Sequence, residues 1–297
     1  MSEMPSKIKT LFIVNPFSGV GRHRMVAQLV AKVLDADVFD YEVVYTEAAG
    51  HATKLSKAAV ENGYQLIVAV GGDGTVNEVA TPLIGSNVTL GLVPSGSGNG
   101  LARHLKIPRE TEKAIAILNH QKKRLIDTVK VNDRVFVSIA GVGFDAYVAR
   151  KFADKRRRGF FQYARIILLA YFKYPPGKYV LHLNGETITR SALFISFANS
   201  DQFGYNTSIA PQARIDDGLI DISIMRKAPA WKAPFLLILF FMKKIDRTSY
   251  VEMLKTNEVR VEQKKRRINL DGETVKMGNQ LHFEVMPLSL TVAVPNN

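Results

Sequence analysis

The sequence predicts an α/β domain built on a parallel sheet, followed by a second, mainly antiparallel β domain. Three observations predict it. Up to about residue 126, short apolar runs alternate with amphipathic stretches of helical length, the pattern of strands wrapped by helices. From Asp127 onward, apolar runs are joined by turn signals such as Val131-Asn132-Asp133 and Asn184-Gly185, which reads as antiparallel strands. Each glycine-rich segment of the first half directly follows an apolar run, at the sheet edge where open parallel sheets bind ligands.

In order, KTLFIVN is a buried strand and GRHRMVAQLVAKVLDA has helical spacing. DYEVVYTE is a second strand and AGHATKLSKAAVENG a second helix. QLIVAV is the third strand, TVNEVATPLIG a helix after it, and VTLGLVP the fourth strand. In the second half, VKVNDRVFVSIAGVGF, YVLHLNGETITRSALFISFANS and GLIDISIMR read as strands. NEVRVEQKKRRINLDGE and QLHFEVMPLSLTVAV add more. Two helical stretches, FFQYARIILLAYF and WKAPFLLILFFMKK, interrupt them. No repeat or low-complexity linker divides the halves, so they are expected to pack closely, with a cleft between them as the expected site.

Composition narrows the chemistry. The 297 residues suffice for two ordinary domains. There is no cysteine, which excludes disulfides, thiolate metal sites and thiol nucleophiles and suits a cytoplasmic location. The opening residues carry no secretory apolar region. The longest apolar stretch, Pro234 to Met242, is roughly half of the ~20 residues that a membrane-spanning helix needs. Net charge is +13, with Arg150, Lys151, Lys155, Arg156, Arg157 and Arg158 in one cluster and Lys264 to Arg267 in another. Such clusters favour an anionic membrane surface or nucleic acid, or form a solvated face. Zinc-finger spacing and an aromatic RNP-like pattern are both absent, so no nucleic acid is expected and a peripheral membrane contact is preferred. Oligomeric state is not legible.

Three loops carry the chemistry. Val14 to Gly19 closes the first strand, Gly71 to Glu78 the third, and Pro94 to Leu105 the fourth. Parallel strands bring these ends side by side. They offer backbone N–H groups, the hydroxyls of Ser18, Thr75, Ser95 and Ser97, and the amides of Asn15, Asn77 and Asn99. Glycine tolerates positive φ and lets a ligand touch bare backbone, and a helix that starts at once presents its positive end. This is a polyphosphate cradle. No Gly-Lys-Ser/Thr follows the glycines and the Gly-x-Gly-x-x-Gly spacing is missing, so neither nucleotide fingerprint applies. Asp73 inside the cradle faces repulsion from phosphate unless a divalent cation intervenes. It therefore predicts Mg²⁺ brought in with a nucleotide, a turn or cap aspartate being the alternative.

The set Asn15-Pro-x-Ser-Gly19, Gly71-Gly-Asp-Gly-Thr75 with Asn77 and Glu78, and Gly96-Ser-Gly-Asn99 resembles the diacylglycerol kinase and sphingosine kinase superfamily of lipid kinases. The resemblance continues through Ala140 to Ala146, Asn199, Ala210 to Gly218 and Leu270 to Glu273 in the second half, and so covers nearly the whole chain. It implies a Rossmann-like, NAD kinase-like domain over 1–126 and a β-sandwich lipid-substrate domain over 127–286, with residues from about 287 to 297 rejoining the first. The implied activity is γ-phosphoryl transfer from ATP, with Mg²⁺, to the hydroxyl of diacylglycerol or a sphingoid-like lipid. A soluble NAD kinase-like enzyme and a non-catalytic nucleotide or lipid sensor are the alternatives.

By the same resemblance ATP contacts Asn15, Pro16, Phe17, Ser18, Gly19, Thr46, Gly71, Gly72, Asp73, Gly74, Thr75, Asn77 and Ser97. Glu273 is the implied proton acceptor, with Asp271 beside it. A second, structural Mg²⁺ is implied at Asp217 with the main-chain oxygens of Arg214 and Leu219, where an ordinary acidic turn is the rival reading. Asn99 is followed by Gly100 where many bacterial diacylglycerol kinases have aspartate, which resembles the sphingosine kinase branch. Asp145 falls where that branch sets an aspartate near the substrate amine, and it can equally be structural. Ile166, Ile167, Leu168, Leu169 and Phe172, or the stretch from Pro234 to Met242, can sheathe lipid chains or form buried core helices. Localisation is expected to be cytoplasmic, peripheral at the inner membrane face.

Overall fold

Strand β1 (Ile8–Val14) buries its last five residues and pairs in parallel on both edges, with β2 (Phe39–Tyr45) and β3 (Leu66–Gly71). β3 is buried at every position, as its unbroken apolar run requires of a central parallel strand. β4 (Thr89–Pro94) lies beside it, also in parallel. The order β2-β1-β3-β4 continues with a strand from the far end of the chain, whose Thr291 and Val292 pair in parallel with Thr89 and Leu90. These are features of a computed structural model, which describes residues 6–18, 25–153, 160–204 and 207–296. The chain divides into two units, residues 1–126 with 288–297 and residues 127–287.

The helices of the first unit are α1 (Val26–Val33), α2 (His51–Glu61), α3 (Asp73–Ala80), α4 (Gly100–His104) and α5 (Thr111–Leu118). The α-helix predicted to run on from Thr75 to Gly85 stops at Ala80. A 3₁₀ turn over Thr81–Leu83 replaces it, because Pro82 has no N–H to continue the ladder. Two helices differ from expectation: α4 lies inside a segment read as loop, and α5 was not anticipated. The first helix is described only from Val26, and the predicted start at Gly21 lies outside the described residues.

In the second unit, β5 (Lys123–Val131) runs in from the first and forms a hairpin with β6 (Arg134–Phe136). β7 (Ile139–Gly143) then turns into α6 (Phe144–Ala153). Gly143 allows that turn: its φ is +84°, and a side chain there would meet the Tyr179 hydroxyl and the Leu193 carbonyl. α7 (Phe160–Lys173), β8 (Gly177–Leu183), β9 (Glu186–Ala192) and β10 (Phe194–Ala198) follow. After them come β11 (Gln202–Gly204), β12 (Thr207–Ser208), β13 (Ile220–Met225) and α8 (Ala233–Phe241). The last strands are β14 (Val251–Thr256), β15 (Glu258–Gln263), β16 (Arg267–Leu270), β17 (Glu273–Lys276) and β18 (Gln280–Ala293).

Two antiparallel layers face each other, β14-β13-β10-β7-β16-β17 and β18-β15-β8-β9. Alternation sends Ala140, Val142, Ile195 and Phe197 inward to a core completed by Phe136 and Phe283. The Phe197 and Phe283 rings stack at 3.9 Å. Ile139, Phe194 and Ala198 point to the opposite face and meet α6, α7 and α8 in a second apolar cluster. The α/β first part and antiparallel second part that the sequence predicts are therefore what the structure shows. α6 was not anticipated; only its first residue, Phe144, fell in a segment read as strand.

Among the described side chains of α7 and α8, one side of each helix packs and the other is exposed. Ile166 and Ile167 pack against the second cluster, whereas Leu168, Leu169 and Phe172 are exposed. In α8 only Leu236 is buried, and Phe235, Leu237 and Ile238 are exposed. Among the described residues no helix is long and apolar enough to cross a membrane.

Candidate active site

The carboxyl ends of β1, β3 and β4 deliver three loops to one edge of the first sheet. Main-chain bonds begin the joining: Asn15 N–H donates to the Val70 carbonyl, Thr46 N–H to Val14, and Ser95 N–H to Gly71, each at 2.9 Å. Side chains finish it. Asn15 Nδ2 donates to Thr75 Oγ1 at 2.9 Å, and the Ser18 and Ser95 hydroxyls bond at 2.9 Å. Asn15 also accepts the Phe17 N–H, leaving the Phe17 ring 82% exposed. Pro16 lies in that turn, Gly74 and Asn77 lie on α3, and Ser97 lies between β4 and α4. Gly19 lies outside the described residues.

The glycines are here for closeness rather than for positive φ. Gly71, Gly72 and Gly74 are absent from the left-handed region, which corrects that part of the expectation. A side chain on Gly96 would strike the Gly72 backbone, and one on Gly98 would strike the Asp73 carboxylate. The second and third loops are thus pressed backbone to backbone. α3 opens at Asp73 behind Gly72, an N-cap residue that makes no side-chain cap bond; the Asp73 carboxylate takes up its own N–H, and the amides of Gly74 and Thr75 follow in the first turn, where helices favour an anion.

Asp73 ties the loops together. Its oxygens accept the N–H groups of Asn99 at 2.8 Å and Gly100 at 2.6 Å, at the start of α4. Burial raises its pKa, while those two amides and the nearby Arg103 guanidinium pull the other way. Asn99 turns the corner with φ +57°, its side chain donating to the Gly96 carbonyl at 2.7 Å. Glu78 is put to structural use: it accepts the Gly50 and Ala52 N–H groups and so caps α2. No group of three or more His, Cys, Asp or Glu gathers for a metal among the described residues. A Mg²⁺ carried on nucleotide phosphates needs only one or two carboxylates, so a cradle holding one acid is chemically consistent with it.

In the second unit the β16–β17 turn holds Asp271 and Glu273. Asp271 is buried at φ +44°. Its carboxylate accepts the N–H groups of Val137, Ser138 and Ile139 at 2.8, 2.9 and 3.0 Å. It therefore pins the turn to the start of β7. Glu273 opens β17 opposite Leu270 and is exposed. Asp145 lies in the first turn of α6, is 6% exposed, and accepts Asn269 Nδ2 at 2.9 Å. Burial pushes its carboxyl up to about 6, with the Asn269 amide opposing.

Arg214, Asp217 and Leu219 share one loop. Asp217 Oδ1 accepts the Leu219 N–H at 3.2 Å, and its other oxygen faces the Lys255 ammonium at 3.4 Å. Lys255 also reaches Asp221, at 3.2 Å. Sequence reasoning passed over Asp127, whose carboxylate accepts the Gly218 N–H at 2.7 Å. Asn199 Nδ2 donates to the Asp127 and Val137 carbonyls at 2.8 and 2.9 Å, joining the same region. A lone acid inside the apolar run of β5 was the available signal.

Comparison with known proteins follows the same division. Residues 9–131 match the diacylglycerol kinase catalytic domain, and residues 138–294 match the YegS C-terminal NAD kinase beta sandwich-like domain. The chain is 30% identical over 274 residues to a protein of Bacillus subtilis named diacylglycerol kinase, covering 88% of each. It is 29% identical over 257 residues to a Chromohalobacter salexigens protein named "Probable lipid kinase YegS-like", covering 84% of this chain and 82% of that one. A crystal structure described as a diacylglycerol kinase of Bacillus anthracis superposes with a TM-score of 0.76 at 22% identity, over 97% of both chains, a likeness of fold.

Proposed function

This chain belongs to the diacylglycerol kinase family of lipid kinases, and on that premise we propose that it transfers the γ-phosphoryl group of ATP to a lipid hydroxyl. Diacylglycerol or a sphingoid-like lipid is the acceptor. The observation that carries the reading is the tied cluster of loops at the first unit's sheet edge. Asn15 to Thr75, Ser18 to Ser95, and Asp73 to Asn99 and Gly100 are each joined there by hydrogen bonds. Loops held this way are pre-organised, so a polyphosphate meets amides already in place.

Each group has a task. The first-turn amides of α3, with the Thr75 and Ser97 hydroxyls, bind phosphate oxygens. Thr46 and Asn77 border the nucleotide. Asp73 orients the second and third loops and is the side chain that would hold Mg²⁺. That ion would neutralise charge on the transferring phosphoryl group. The lipid oxygen forms a bond to the γ-phosphorus while the bridge to the β-phosphate breaks and ADP departs. Glu273 takes the hydroxyl proton. Asp271, its oxygens committed to three amides, positions the turn. Asp145, buried and bonded to Asn269, positions β16, and we assign it no direct contact with the lipid unless that lipid carries an ammonium. Asp217, with the main-chain oxygens of Arg214 and Leu219, would hold a structural Mg²⁺, which would have to displace the Lys255 ammonium from the same carboxylate.

The exposed apolar side chains of α7 and α8 support a reaction at an anionic membrane surface, reached from the cytoplasmic side. The deciding experiment incubates the protein with labelled ATP, Mg²⁺ and mixed micelles of diacylglycerol, monoacylglycerol, ceramide or sphingosine, with NAD as control. Label on one of the lipids is expected. Label on NAD alone, or nucleotide binding without transfer, overturns the proposal.

A further inference from the structure

Arg150 of the first basic block and Lys265 to Arg267 of the second meet at a cavity of about 500 Å³ within the second unit. Arg150 comes from α6, Lys173 from the end of α7, Lys265, Arg266 and Arg267 from the approach to β16, and Lys276 from β17. Lys155 to Arg158 of the first block lie outside the described residues. Among the described residues no acid lines the cavity: Asp145 on α6 and Glu273 on β17 are the described acids of these elements, and neither contributes to its wall. Among the described residues none of the six cations forms an ion pair. The Lys265 ammonium instead lies 3.6 Å from the centre of the Tyr174 ring, a weaker partner than a carboxylate. Burial lowers its pKa.

Like charges drawn into one hollow repel, and an anion relieves them. Three arginines and three lysines offer more donors than one carboxylate can accept. Phosphate oxygens match both the planar forks and the point charges. The cavity also has an apolar approach. Leu168, Leu169 and Phe172 on α7 are 56%, 59% and 58% exposed. Leu169 stands one helical turn before Lys173, so the two share a side of the helix. A ligand that satisfies both features has a phosphate at one end and an acyl chain at the other.

We propose that this cavity binds the phosphate of an anionic glycerophospholipid headgroup, with the acyl chains lying along the exposed apolar side of α7. The site rests on the membrane contact proposed above but needs neither ATP nor turnover, so vesicle binding and phosphoryl transfer can each fail without the other.

Co-sedimentation of the full chain without nucleotide tests it. Vesicles are phosphatidylcholine alone or phosphatidylcholine mixed with phosphatidylglycerol. The wild-type chain is expected to bind the mixed vesicles preferentially. Lys173→Glu with Lys265→Glu is expected to weaken that binding by about tenfold or more, each basic residue near an anionic surface mattering substantially. The milder pair Lys173→Gln with Lys265→Gln is expected to weaken it in the same direction, and guards against misfolding in the first. Lys54→Glu with Lys57→Glu, on the exposed side of α2, removes the same charge elsewhere and is expected to change binding by less than about twofold. Equal losses from the cavity and α2 variants, or no preference for phosphatidylglycerol, overturn the proposal. Calorimetry with glycerol 3-phosphate separates the sources: saturable binding lost in the cavity variants, with no vesicle preference, assigns the cavity to soluble phosphates and overturns the lipid.

Discussion

Asp145 sits so close over Gly141 that any side chain at Gly141 would strike its carboxylate. A carboxyl held at about 6, against about 4 in an unfolded chain, favours the folded state only when protonated. The contribution is fully present below pH ~4 and is lost as pH rises through ~6. Asp145→Asn is therefore expected to stabilise the protein at pH 8, on the order of 2–3 kcal/mol, with the gain vanishing near pH 4. Thermal melts of both proteins across that range check it, and a gain independent of pH contradicts it. Glu273→Gln is expected to slow transfer by about 100-fold or more while ATP affinity stays nearly constant. Asp271→Ala should instead lower stability, because three amides lose their acceptor. Activity assays paired with denaturant melts separate the two. Lys255→Met should raise Mg²⁺ affinity in nucleotide-free calorimetry if ammonium and cation compete at Asp217, and unchanged affinity argues against that competition.

At the scale of elements, the gathering of the glycine-rich loops at one sheet edge was legible because strand-to-loop transitions are written in composition. Their reason was not. The sequence suggested left-handed backbone at Gly71 to Gly74, whereas the structure uses bare Cα atoms to let two loops touch. Such contact joins residues far apart in the chain, which local pattern does not record. The same holds for Asp127 with Gly218 and for Lys255 with Asp217 and Asp221. Helices α4 and α6 escaped notice because they are short or begin against glycine, where periodicity has little length to register. Gly98→Ala is expected to push Asp73 off the Asn99 and Gly100 amides, costing about 1–3 kcal/mol and weakening ATP binding. Gly278→Ala, whose nearest neighbours would be 3.8 Å away, is the control and should leave both unchanged in calorimetry and melts.

At the scale of the whole molecule, the division into an α/β part and an antiparallel part was readable because the hydrophobic period changes near Asp127. That the end of the chain rejoins the first part was implied by the family resemblance and not by the hydrophobic pattern: the late strand Gln280–Ala293 pairs with β15 through Glu258 to Glu262 and with β4 through Thr89 and Leu90. Leu290, Val292, Ala293 and Val294 are buried there. A chain stopped after Pro287 is expected to lose that neighbour, leaving one edge of β4 unpaired and aggregation-prone. Hydrogen exchange should then show β4 and β3 unprotected while β7 and β10 remain slow; protection of β4 in the shortened chain contradicts this. The feature also dictates an order of events during synthesis. The part translated first is finished last, because its sheet waits for residues 288–294 to leave the ribosome, and in the interim its half-built edge is a natural client for a chaperone.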